Sequence, residues 1–128
     1  MRIFKNKWFN RWARGENITD TVLFDSANEI VQGKVEADLG GYLFKKRLPQ
    51  AGKGKSGGYR VIVGYRKENT GRLVFLYAFR KSDKENISTQ EEAALSLAAK
   101  SFLSATDRQI EKLIEARSIW EVKRNEKE

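Results

Sequence analysis

Twelve lysines and arginines crowd the stretch from Gly40 to Lys84, against two acids, Glu68 and Asp83. That stretch carries +10, whereas the whole 128-residue chain carries +8. Charge concentrated in this way marks a surface that holds a polyanion, rather than a protein that is basic all over. The residues able to grip one are Lys45, Lys46 and Arg47 in one run, then Lys53 and Lys55 in the loop Gly52-Lys53-Gly54-Lys55-Ser56-Gly57-Gly58. Tyr59 and Arg60 follow, and Arg80, Lys81, Lys84 and Asn86 close the set. Guanidinium forks match phosphate oxygens two at a time. The chemistry open to such a set is stabilisation of charge building up on phosphorus.

What is missing narrows the chemistry further. The chain has no cysteine and no histidine. Thiol nucleophiles, disulfides, Cys- or His-based zinc sites and Ser-His hydrolases are therefore excluded. The basic stretch has too few acids to hold a metal on carboxylates, so neither metal nor cofactor is expected. The Gly-Lys-Ser of the glycine loop is not a P-loop. The first glycine of that motif would fall on Pro49, and the loop leads into a strand instead of a helix. No apolar run approaches the roughly 20 residues needed to span a bilayer. The basic N-terminus has no hydrophobic stretch behind it, as a secretory signal would. A cytoplasmic protein with no membrane partner is expected, and the absence of cysteine fits that compartment.

The elements that must position these side chains can be read from spacing. Arg2-Ile3-Phe4 suits a short strand. Trp8, Phe9 and Trp12 recur at helical spacing and predict a short helix to about Arg14 with these aromatics in the core. Thr19 or Asp20 caps a second helix that ends near Gly33. Tyr42–Leu48, Tyr59–Arg66 and Leu73–Phe79 read as strands joined by short connections, hence an antiparallel meander. Ser88-Thr89-Gln90-Glu91 and Thr106-Asp107-Arg108-Gln109 are capping boxes that open two further helices. Ile119–Val122 adds a short strand or a cap. The expected fold class is α+β: a small antiparallel sheet of about four strands, two N-terminal helices, and C-terminal helices packed on one face. Residues 1–122 form one domain in this reading and 123–128 a solvated tail.

Register decides which cations share a face. Setting Arg66 opposite Arg72 places Arg60 opposite Ala78, with Arg80 one diagonal step away on the same side. The other side then reads Tyr59, Val61, Val63, Tyr65 with Leu73, Phe75, Tyr77, Phe79 and should carry the helices. The arginine side should stand open. Lys45 and Arg47 alternate onto one face of the neighbouring strand.

Two helices, a basic strand, Gly-Lys-Gly-Lys-Ser-Gly-Gly-Tyr-Arg and a hairpin ending Phe79-Arg80-Lys81 together resemble the RelE/ParE superfamily of bacterial toxins, most of all the HigB-type RelE toxins. The resemblance covers residues 1 to about 85, and Asn86-Ile87-Ser88 with the helices after it look like one branch. It implies a RelE-like fold and a metal-independent, ribosome-dependent endoribonuclease (an mRNA interferase). Such a toxin inhibits translation and is silenced by a cognate antitoxin, commonly a helix-turn-helix DNA-binding protein. Carried over by position, Lys45, Arg47, Arg60, Arg80 and Lys81 are the expected catalytic set. Lys46, Lys53, Lys55, Tyr59, Lys84 and Asn86 are the expected RNA contacts. Members often place a Tyr or His shortly beyond the third strand, for base stacking or acid duty. Here none follows Tyr77; Lys84 and Asn86 stand in that region, and Trp120 is a candidate stacker.

RNA cleavage without histidine is chemically sound. The 2′-OH attacks the adjacent phosphate, a base takes its proton, cations hold the phosphorane, and an acid protonates the leaving 5′-oxygen. A lysine among other cations can serve as base, and Arg60 would hold the phosphorane. Two alternatives stay open: a ParE-like gyrase inhibitor on the same fold, and a noncatalytic RNA- or ribosome-binding protein.

Overall fold

The first strand, β1 (Arg2–Asn6), runs straight into the cap of the first helix, α1 (Lys7–Gly15), where Asn6 Oδ1 accepts from Phe9 N at 2.7 Å. The remaining elements are α2 (Asp20–Val31), β2 (Ala37–Gly40), β3 (Leu43–Leu48), β4 (Tyr59–Tyr65), β5 (Arg72–Arg80), α3 (Thr89–Ser104), α4 (Asp107–Glu115) and β6 (Ile119–Glu121). This computed structural model describes residues 1–49, 58–68 and 71–124. Thr19 caps α2, and both capping boxes form, at Ser88/Glu91 and at Thr106/Gln109. The side-chain oxygen of each cap thus satisfies a backbone N–H that the first helical turn leaves free.

Six strands, where about four were expected, form one sheet in the order β2-β3-β4-β5-β1-β6. The meander β2-β3-β4-β5 is antiparallel, and β6 runs antiparallel to β1. Strand β1 inserts beside β5 and parallel to it. A parallel neighbour needs a long crossover, and residues 7–71 supply it. The unexpected edge strand β2 escapes pattern reading because it is only four residues long.

Helices cover both faces, not one. On one face α1 and α2 bring Phe9, Ala13, Leu23, Ala27 and Ile30 against Ile3, Val61, Val63, Leu73 and Phe75. On the other, α3 and α4 bring Ala99, Phe102, Leu103 and Ile110 against Phe4, Leu43, Ile62 and Val74. Gly64 lets α3 in this close: a Cβ there would lie 2.9 Å from that of Ala99 and 3.1 Å from a Val74 methyl. The two cores explain why every residue of β4 is buried. The predicted aromatic stripe of α1 is only partly core. Phe9 is fully buried, whereas Trp8 is 45% exposed. Of the tail, Lys123 and Arg124 are exposed, Arg124 pairing with Asp25 at 2.7 Å, and residues 125–128 lie outside the described set.

The hairpin register carries the main correction. Tyr65↔Leu73, Gly64↔Val74 and Val63↔Phe75 follow the expected pairing, which then slips by one residue, so that Ile62 faces Tyr77 and Arg60 faces Phe79. Leu76 is the extra residue of a β-bulge, and Leu76 and Tyr77 both belong to the α3 face. A bulge puts two residues against one and inverts every side chain beyond it. Asn6 Nδ2 donates to Leu76 O at 3.1 Å, so the residue that caps α1 also ties down the bulge.

Candidate phosphate-binding site

Strand β3 places Lys45 and Arg47 on the α3 face, as alternation required, and the ladder sets Lys45 opposite Ile62 and Arg47 opposite Arg60. Helix α3 covers the far end of this face, over Gly64 and Leu43, and leaves the end carrying the two arginines. Lys45 Nζ reaches Asn86 Oδ1 at 3.5 Å. Lys81, one residue past β5, donates from Nζ to Glu85 O at 3.1 Å, beside Asn86. Lys45, Arg47, Arg60, Lys81 and Asn86 therefore gather at one end of one face.

Like charges this close repel unless something anionic lies among them. One internal anion does. Glu36, just ahead of β2, places Oε2 2.6 Å from Arg60 Nε. The N–H does not point along that contact, so Nε is an ion-pair partner without a satisfied hydrogen bond. Arg47 has no acidic partner among the described residues, and its Nε is likewise buried and unsatisfied. Two adjacent guanidinium groups with spare donors match the oxygens of a phosphodiester. Sequence reading missed Glu36 because it lies outside the basic stretch. An acid immediately before the edge strand that pairs with Lys45 was the only signal.

Four expected residues do not join this group. The bulge turns Arg80 to the α1/α2 face, opposite Tyr59, contrary to the expectation that it shares a face with Arg60. There Arg80 Nη2 and Tyr59 OH both donate to Glu16 Oε1 at 2.7 Å. Arg80 and Tyr59 hold the Glu16 carboxyl below its usual range, while burial, reinforced by Glu16, pushes the Tyr59 hydroxyl up. Lys46 also faces α2, donating to Lys34 O at 2.8 Å and pairing with Glu29 at 3.4 Å. Lys84 occupies the α3 side, but Glu91 holds it at 2.6 Å with Tyr77 OH 3.4 Å away. Its ammonium and the Ser88 backbone N–H lower the Glu91 carboxyl to about 2. Lys53 and Lys55 lie outside the described residues.

A cavity of about 500 Å³ opens at the opposite end of the sheet, lined by Arg2, Arg66, Arg72 and Asp107. Arg72 pairs there with Asp107, Arg2 with Glu111 and Glu121, and Arg66 lies over the Tyr42 ring. That region pairs Arg2 and Arg72 with acids, although Arg66 Nε, like those of Arg47 and Arg60, is buried without a hydrogen bond; the Arg47/Arg60 end is the candidate phosphate site.

The family model for the RelE toxin of the RelE/RelB toxin–antitoxin system matches residues 1–122. The chain belongs to the RelE toxin family. As a RelE-type toxin of a toxin–antitoxin system, its partner is an antitoxin. A search among curated proteins found no match. No helix among the described residues is long and apolar enough to cross a membrane.

Proposed function

We propose that this toxin is a metal-independent endoribonuclease that cuts translated mRNA at the ribosome. The observation that supports this most is the pairing of Arg47 with Arg60 across β3 and β4, with Lys45 and Lys81 on the same face. In this reading the scissile phosphate lies between the two guanidinium groups. The 2′-oxygen attacks phosphorus, the P–O5′ bond breaks, and the products are a 2′,3′-cyclic phosphate and a 5′-hydroxyl. Arg60 and Arg47 stabilise the phosphorane, which carries one more negative charge than the ground state. Glu36 holds Arg60, and the 2′-OH proton passes to a lysine base, as the sequence suggested, for which Lys45 is the candidate on this face. Lys81 is then the donor nearest the leaving oxygen. Free RNA is seldom aligned for in-line attack, so the ribosome would supply the orientation. Translated mRNA as substrate places the protein in the cytoplasm.

The antitoxin, expected to be a helix-turn-helix protein, silences this activity. The test is a purified translation reaction with a defined mRNA, run in parallel with a gyrase supercoiling assay. Cleavage of the mRNA within the ribosome-bound stretch supports the proposal. Intact mRNA alongside inhibited gyrase would instead support the ParE-like reading, and neither effect would leave a noncatalytic binder.

A further inference from the structure

Trp8 is the anomaly of the surface. Its helix neighbour Phe9 is fully buried, yet Trp8 is 45% exposed. It is nevertheless not loose. Its ring lies 4.7 Å from that of Tyr77, tilted by 33°. Tyr77 is fixed from another side by Lys84, whose Nζ is 5.4 Å from the ring centroid and is itself held by Glu91. Phe79 continues the row, 6.3 Å from Tyr77, and Phe79 is the register partner of Arg60. The bulge that slips the register is what brings Tyr77 and Phe79 onto the arginine face. Asn6, which both caps α1 and binds the bulge carbonyl, ties the start of the helix that carries Trp8 to the strand that carries Tyr77.

The face is thus divided. Cations occupy its β3–β4 side and a ladder of aromatic rings its β5–α1 side. Helix α1 carries no acid; Lys7 precedes Trp8 and Arg11 follows it by three residues, and with Arg14 they line a shallow cavity beside Trp120. An exposed aromatic flanked by positive charge suits a nucleobase, which brings a π-face and an attached phosphate together. We propose that Trp8, stacked on Tyr77, is the platform for an unpaired base of the RNA strand whose phosphate lies at Arg47 and Arg60. This inference rests on the endoribonuclease reading above. It makes Trp8 a positioning residue: by seating a base it holds the neighbouring phosphate in line, while taking no part in proton transfer. Stacking reads every base, so the platform sets the cut position more than the sequence.

The experiment uses ribosomes programmed with a defined mRNA and compares the wild-type chain with Trp8→Ala and Trp8→Phe. Loss of one base–aromatic stack is expected to lower kcat/KM roughly ten- to a hundredfold in Trp8→Ala, with most of the rate kept in Trp8→Phe. An mRNA carrying a single abasic nucleotide near the cut should reproduce the loss at one position. At that position Trp8→Ala should cost nothing further, which a merely structural effect would not produce. If wild type and Trp8→Ala cleave equally, the platform is refuted and the nuclease reading stands. Trp8→Ala losses that stay additive at every abasic position also refute it. If the wild-type chain cuts nothing, the reading on which the platform rests has failed, and the platform with it.

Discussion

Replacing Arg60 by alanine separates a catalytic arginine from a structural one, because the two roles predict effects of very different size. The side chain of Arg60 is 11% exposed and that of its partner Glu36 35% exposed, and the contact between them is not an aligned hydrogen bond. Because Glu36 keeps about a third of its side chain in water, the pair is discounted to about 1 kcal/mol. Lost packing of the arginine stem brings the total to roughly 1–2 kcal/mol. For a chain of this size that lowers Tm by about 4–8 °C. Even a domain with only about 5 kcal/mol of stability would then stay more than about 99% folded. Unfolding therefore cannot account for a large loss of activity. Loss of one preorganised donor to the phosphorane, by contrast, slows chemistry about 10²- to 10³-fold. The assay is single-turnover cleavage of mRNA on programmed ribosomes at saturating toxin, with thermal melts of the same preparations. Arg60→Lys keeps the charge but not the fork and should fall between the two. Cleavage by Arg60→Ala within about threefold of wild type would refute the assignment, as would a rate loss that merely tracks the fraction unfolded.

Other expectations follow from the same geometry. Lys81→Ala should abolish growth arrest on induction, whereas Arg80→Ala should largely retain it, since Arg80 faces α1 and is tied to Glu16; the reverse ranking in a plating assay would invalidate the face assignment. Gly64→Ala must push Ala99 and Val74 aside, costing about 1–3 kcal/mol in chemical denaturation. The Glu91 carboxyl titrates at about 2 in the fold against 4.5 unfolded, so the stability it contributes is complete above pH 5 and is lost as pH falls toward 2. Glu91→Gln should flatten that part of the stability–pH profile, and an unchanged acid limb would mean the Lys84 pair is not maintained in solution.

Much of this was legible in the residues. Helix starts were marked by Thr19, Ser88 and Thr106, each of which caps as its side-chain oxygen predicts. The meander and the Lys45/Arg47 alternation followed from short connections and period-two spacing. What the residues hid was the bulge at Leu76. It has no glycine to announce it, and it is stabilised from far away by Asn6, a contact that spans 70 positions. That single slip moved Arg80 off the site face and Phe79 and Tyr77 onto it. Trp8 was misread because its spacing fits a buried stripe, whereas its ring lies half exposed against Tyr77. Glu36 belongs to a strand edge that exists only through pairing with β3.

The most direct test of the central claim is to map the ends of mRNA fragments in cells shortly after induction of the chain, using a ligation chemistry that captures only 5′-hydroxyl ends. The account predicts new 5′-hydroxyl ends confined to translated regions, matched by 2′,3′-cyclic phosphates on the upstream fragments, and absent when Arg60→Ala is induced. Growth arrest with intact messages, or cuts that leave 5′-phosphates, would contradict it.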